Sequence, residues 1–283
     1  MTFDNAQTRS LLDGKNRTYV PYVAPRDLVA SAKAARTVSS LLRNERFDAC
    51  ISTGSAVAGL AVPLAALSGV PSFYVESVAR FHGPSLTGRI MRFAPRVRTL
   101  TQAPTWASTN WPFEGTILDG WESTPYELPE RARRVIVTLG TIRPYTFDRA
   151  VAAVLPALKP TDDVVWQLGI TPTRPNLPGR VFADMEFETM SNEVKRADVV
   201  ISHAGVGSVL LAHQWGKYPV LATRSSSHGE HVDDHQRELA GALTDRDLAV
   251  ELDLDDPSRN ADVLDRAAHR AVRAVQTERT TGS

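Results

Sequence analysis

Short apolar runs alternate with stretches of helical periodicity along the whole chain. Residues 18–23, 47–52, 72–75, 98–101 and 116–118 read as strands of a first series. Between them, residues 27–46 carry Leu28, Ala35, Val38 and Leu42 on one helical stripe. Residues 56–67 predict a helix of small side chains closed by Gly69, and residues 85–93 a further short helix. A second series has strands at 134–139, 164–168, 198–202, 219–223 and 248–252, with helices at 207–215, 232–243 and 261–275. This alternation predicts an α/β fold with parallel sheets. The polar stretch between the two series holds Pro125 and Pro129. It divides the chain into a domain at 1–120, a linker at 121–133 and a second domain at 134–283.

Length and composition sharpen this picture only where they exclude something. The chain has 283 residues, enough for two ordinary cores. Lys plus Arg and Asp plus Glu both number 32, so no global charge argues for nucleic acid. No apolar run approaches the ~20 residues of a membrane span. The start, Met1-Thr2-Phe3-Asp4, is not that of a secretory signal, and the single cysteine, Cys50, predicts a buried strand residue in a reducing compartment. A cytoplasmic protein is expected.

The candidate chemistry gathers in turns between strands and helices. His203-Ala204-Gly205-Val206-Gly207-Ser208 follows a strand and opens a helix. Such a turn lets backbone N–H groups approach a phosphate, and the helix end adds about half a positive charge. The alternative is an ordinary tight turn. Gly140-Thr141 makes a second turn of this kind, after the first strand of the same domain. A third segment runs from Arg224 through Glu230, Asp234, His235 and Gln236 and suits sugar hydroxyls. His231 and His235 have the spacing of a metal pair, a lesser alternative, since no third ligand cluster accompanies them. Asp253-Leu254-Asp255 reads as a strand end entering a loop rather than a metal motif.

Together Val137-Thr138-Leu139-Gly140-Thr141, residues 201–208 and residues 229–236 resemble the C-terminal donor domain of family 28 (MurG-like) glycosyltransferases. The likeness is greatest to the catalytic subunit of the dolichol-pathway UDP-N-acetylglucosamine transferase and its bacterial exopolysaccharide counterparts. The first domain is similar to the partner subunit, on Ile51-Ser52-Thr53-Gly54, residues 74–77, Ala79-Arg80 and residues 85–88. The chain therefore resembles a fusion of the two subunits.

The resemblance implies a GT-B fold of two Rossmann-like, doubly wound parallel-sheet domains. It also implies an inverting, UDP-sugar-dependent hexosyltransferase without cofactor or obligatory metal, acting on a polyprenyl-diphosphate-linked saccharide. Donor residues by this likeness are Gly140, Thr141, His203, Ala204, Gly205, Val206, Gly207, Ser208, Asp234, His235 and Gln236; Ser52, Thr53, Gly54, Glu76, Ser77 and Arg80 face the acceptor side. Glu230 joins the donor candidates as part of the third segment, and Arg143 or Arg224 as a cation for the diphosphate leaving group, with a plain surface residue as the alternative for either arginine.

Two departures stand out. The family's pattern often has a Glu in the helix after the glycine loop, where this chain has Leu211. The family's opening strand and Gly-Gly-His turn have no counterpart before Tyr19, so the first domain is expected to lack its first βα unit and to expose sheet edges.

Arg80, Arg89, Arg92, Arg96 and Arg98, interleaved with Leu86, Ile90, Met91 and Phe93, form a basic apolar edge. Docking on the anionic inner membrane surface is one reading, a solvated helix face the other. For the general base, Glu76 and then His82 are the candidates. A carboxylate ending a buried strand also has a structural alternative, as a hydrogen-bond anchor. Alternative functions are a non-catalytic sugar-nucleotide-binding copy or regulatory subunit and, less favoured, a UDP-sugar epimerase.

Overall fold

The computed structural model describes residues 1–3, 6–20, 28–54, 57–141, 143–231 and 235–275. The chain divides into two compact units, Met1–Thr116 and Ile117–Ser283.

In the first unit, β1 (Thr2–Phe3), α1 (Ala6–Leu11), β2 (Tyr19–Val20), α2 (Leu28–Asn44), β3 (Cys50–Ser52), α3 (Ala58–Leu67), β4 (Ser72–Val75), α4 (Leu86–Met91) and β5 (Val97–Leu100) follow in order. A short strand and helix thus precede Tyr19. β1 pairs with β2 in parallel, and β3-β4-β5 form a separate parallel sheet. Small residues let α2 and α3 pack closely: Ala30, Ala34 and Val57 bury against Val20. A second cluster, Ala58, Val62, Tyr74, Met91 and Trp111, covers one face of the larger sheet. Cys50 is half-buried there and unbridged, and burial raises its thiol pKa. The strand expected at 116–118 is instead part of a 3-10 turn, Ile117–Gly120.

The second unit contains β6 (Trp121–Pro125), β7 (Arg134–Thr138), α5 (Asp148–Val154), β8 (Asp163–Gln167), β9 (Arg180–Phe182), α6 (Phe187–Arg196), β10 (Val199–Ser202), α7 (Val206–Gln214), β11 (Val220–Leu221), α8 (His235–Asp245), β12 (Val250–Glu251), α9 (Asn260–Ala268) and β13 (Arg270–Ala274). Six strands form one parallel sheet in the order β12-β11-β10-β7-β8-β9. Val135, Ile136, Val137, Val199, Val200 and Ile201 are all buried, as central strands covered on both faces require. The chain winds outward one way from β7 and the other way from β10. The neighbouring carboxyl ends of these two strands are therefore the topological switch point, where open α/β sheets bind ligands.

Two segments differ from the sequence expectation. Residues 121–125 of the expected linker are β6, which pairs antiparallel with β13. Residues 270–274, expected to continue the last helix, are that partner strand; α9 ends at Ala268. Pairing overrides the helix propensity of Arg and Ala here. Asp247 fastens this two-stranded ribbon to the segment that leads into β11. It accepts from Ser123 Oγ at 2.9 Å and Tyr218 Oη at 3.0 Å, and pairs with Arg270.

Candidate functional site

β10 and β7 are in register at Ser202 and Thr138, so their exit loops lie side by side. The His203 N–H donates to the Thr138 carbonyl at 3.1 Å and carries the pairing one residue past the strand. Ala204 then takes a left-handed backbone at φ 59° and Gly205 starts α7. No side chain caps this helix and its first turn holds no acid. Among the described residues the amides of Val206, Gly207 and Ser208 have no partner, as the opening turn of a helix leaves them. Gly207 is exposed, and a Cβ there meets nothing within 4 Å. Ser202, fully buried at the strand's end, has an Oγ without a partner among the described residues. An anion is the ligand this arrangement suits.

Two glycines make room for one imidazole. A Cβ at Gly140 (φ 76°) would come within 2.8 Å of His203 Nε2, and one at Gly205 within 2.4 Å. Burial first, then the nearby charges of Arg224 and His231, lower the His203 pKa to about 4, against the pull of the Thr138 carbonyl. The ring is neutral at pH 7. Thr141 and Arg143 are exposed beyond the Gly140 turn.

Arg224 and Glu230 hold the site's walls rather than its opening. The Arg224 guanidinium is 1% exposed. It donates to the carbonyls of Leu139 (2.7 Å), Glu230 (2.9 Å) and Thr146 (3.2 Å) and stacks 4.7 Å from the Phe147 ring centroid. The buried Glu230 carboxylate accepts from Arg149 at 2.9 and 3.2 Å and from the Ser225 N–H at 3.0 Å. Together they clamp the loop after β11 to the loop after β7. Gln236 opens α8 with an Oε1 that is buried and without a partner among the described residues. Asp234 lies outside the described residues, as does the side chain of His235. Asp253 Oδ1 accepts from the amides of Asp255 and Asp256, which shapes the loop after β12.

Leu211 is 8% exposed and packs with Ile136, Val165, Val194 and Val200, so the position that departs from the family pattern belongs to the core here. Sequence reasoning passed over Gln167, Arg149 and Phe147. Only Gln167 left a signal, a polar residue closing the buried run Val164-Val165-Trp166.

In the first unit, the residues expected on the acceptor side follow the carboxyl ends of the neighbouring strands β3 and β4. Ser52 Oγ and Gly54 close a tight turn on each other. Glu76 is 1% exposed, and its carboxylate accepts from the Ser77 N–H (3.0 Å), the Ser85 N–H (2.8 Å) and Ser85 Oγ (3.0 Å). A Cβ at Gly88 would come within 2.3 Å of Glu76 Oε2. Of the two reasons for a carboxylate there, the geometry displays the anchoring one. The Arg80 carbonyl accepts from Trp106 Nε1 at 2.8 Å, and Ser77 Oγ from the Ala79 N–H. His82 is exposed on the same loop. Leu86, Ile90 and Phe93 are exposed by 76, 57 and 79% beside exposed Arg89, Arg92, Arg96 and Arg98. No helix among the described residues is long and apolar enough to cross a membrane.

Residues 134–255 match the glycosyltransferase family 28 C-terminal domain. A relative, the UDP-N-acetylglucosamine transferase subunit ALG13 of Yarrowia lipolytica (strain CLIB 122 / E 150), is 44% identical over 69 residues. That match covers 24% of this chain and about a third (33%) of the relative's length. Among solved structures, Acinetobacter baumannii MurG superposes with a TM-score of 0.55 at 21% identity over 92% of this chain and 78% of that one. The glycosyltransferase SnogD from Streptomyces nogalater gives 0.53 at 20% identity over 84% and 70%. Residues 134–255 thus carry the glycosyltransferase family 28 C-terminal domain, and the chain as a whole shares the GT-B fold of these neighbours.

Proposed function

We propose that the chain transfers a hexose from a UDP-sugar to a saccharide carried on a polyprenyl diphosphate, with inversion and without a metal, in exopolysaccharide or cell-surface glycan synthesis. The observation that carries this reading is the uncapped, acid-free N-terminus of α7 beside the Gly140-Thr141 turn, at the switch point of the second sheet. The likeness to a fungal UDP-N-acetylglucosamine transferase subunit supports UDP-N-acetylglucosamine as the first donor to try.

In this reading the diphosphate rests on the amides of Val206, Gly207 and Ser208, and the exposed Arg143 neutralises the leaving group. His203 stays uncharged and packs the loop. The acceptor hydroxyl attacks the anomeric carbon, the bond to the diphosphate oxygen breaks, and UDP leaves with the electron pair. Preorganised N–H donors of this kind are each worth about 10²–10³ in rate. Of the two base candidates, exposed His82 is the better suited to take the hydroxyl proton, while Glu76 orders the loop that carries it. Asp234, His235 and Gln236 are assigned to the donor sugar. The Arg-rich edge around α4 docks on the cytoplasmic membrane face, where a lipid-linked acceptor resides, at about 1 kcal/mol per cation.

A second reading, a sugar-nucleotide-binding copy without transfer, is favoured by one observation: Leu211 is core, so that position offers no carboxylate to the ribose hydroxyls. Incubation with UDP-sugars and lipid-linked saccharide acceptors separates the two. Transfer of label to the lipid fraction supports the enzyme. Nucleotide binding without transfer to any acceptor supports the copy.

A further inference from the structure

Gln167 closes β8 at 1% exposure, and every hydrogen-bonding group of its amide is engaged. Oε1 accepts from Thr138 Oγ1 at 2.8 Å. Nε2 donates one proton to the Gly140 carbonyl at 3.1 Å and the other to the Ala183 carbonyl at 2.9 Å. The three contacts fix which way the amide faces. They also fix the Gly140 carbonyl, which lies against Gly169 so closely that a Cβ there would come within 2.2 Å of it.

The consequence falls on the other half of the same peptide. In a planar trans peptide the C=O and N–H point in opposite directions. Holding the Gly140 carbonyl toward β8 therefore turns the Thr141 N–H away from β8, the side of β7 opposite to that of β10 and the α7 N-terminus. Thr141 is exposed, and its N–H has no partner among the described residues.

We propose that Gln167 is the positioning residue of the donor loop: it presents the Thr141 N–H to the donor's diphosphate. The proposal rests on the donor-binding reading above. Gln167 touches no substrate; it acts through the Gly140–Thr141 peptide. A leucine or methionine fills the same volume but leaves that peptide free to turn.

The test compares UDP with uridine, which lacks the phosphates, on the full chain by competition against a fluorescent UDP. Wild type should prefer UDP strongly. Gln167→Met should weaken UDP about tenfold, the worth of one charge-assisted hydrogen bond, and leave uridine within twofold. Thr138→Val, which removes the hydroxyl that orients the amide, should shift the same ratio in the same sense by a few-fold. If Gln167→Met fails to fold, as judged by circular dichroism, Thr138→Val decides by that ratio. Unchanged UDP affinity, or equal losses for UDP and uridine, overturns the positioning role and leaves the donor reading standing. A wild type that binds UDP no better than uridine defeats the donor reading itself, and the role of Gln167 with it.

Discussion

The His203 imidazole occupies the space that a side chain at Gly205 would need: a Cβ there would lie 2.4 Å from Nε2. Gly207, two residues on, meets nothing within 4 Å. The two glycines should therefore respond differently to substitution. Gly205→Val displaces the ring and the loop, and UDP affinity should drop at least about tenfold through loss of one or two charge-assisted hydrogen bonds. Gly207→Ala should fold with stability within about 0.5 kcal/mol of wild type. Calorimetric titration with UDP, alongside thermal melts, checks both.

The two arginines near the site should separate in the same way. Arg224 is buried on main-chain carbonyls, so Arg224→Met leaves several acceptors unsatisfied and should cost about 3 kcal/mol or more of stability. Arg143 is exposed. Arg143→Ala should leave the melting temperature unchanged and weaken UDP binding. Urea unfolding of the two variants, followed by titration with UDP, provides the comparison.

Acid should destabilise the second unit through His203 and His213. Burial lowers the pKa of both His203 and His213 to about 4, from 6.5. The unfolded chain then takes up protons between pH 6.5 and 4 that the folded chain refuses. The stabilisation is full above pH 6.5 and is lost as pH falls toward 4. For His213, which is 1% exposed, the loss amounts to about 3 kcal/mol. His213→Gln keeps a donor for the Leu248 carbonyl and should flatten the slope of melting temperature between pH 7 and 5. An unchanged slope would show that other groups cause it.

The parallel sheet of the second unit was legible because its strands are unbroken runs of Val and Ile ending in small-residue turns; β7, β8 and β10 lie within a residue or two of the expected positions. The glycine turns were legible for the same reason. β13 was not, because Arg270-Ala271-Val272-Arg273-Ala274 suits a helix locally and becomes a strand only by pairing with β6. The roles of Arg224 and Glu230 were hidden as well. A charged residue after a strand looks ligand-facing until its partners, here Leu139, Thr146 and Arg149, are brought from some 80 residues away. For Glu76 the anchoring alternative was legible, but its partner Ser85, nine residues later, was not.

Membrane docking, if it uses the exposed face of α4, should need both its apolar and its basic side chains. Sedimentation with vesicles containing phosphatidylglycerol should pull down the wild-type chain at low salt. Leu86→Ser with Phe93→Ser should reduce the bound fraction at every salt concentration. Arg89→Gln with Arg92→Gln should reduce it mainly at low salt, where surface charge is least screened. Binding that is indifferent to both pairs would place the membrane contact elsewhere.

Isothermal calorimetry of the intact wild-type chain with UDP, repeated on Gly205→Val, tests the donor site most directly. Saturable one-to-one binding by the wild type, weakened at least about tenfold in a folded Gly205→Val, is the expected result. No heat with UDP from the folded wild type, or equal affinity in the two proteins, would contradict a donor-phosphate site at the α7 N-terminus.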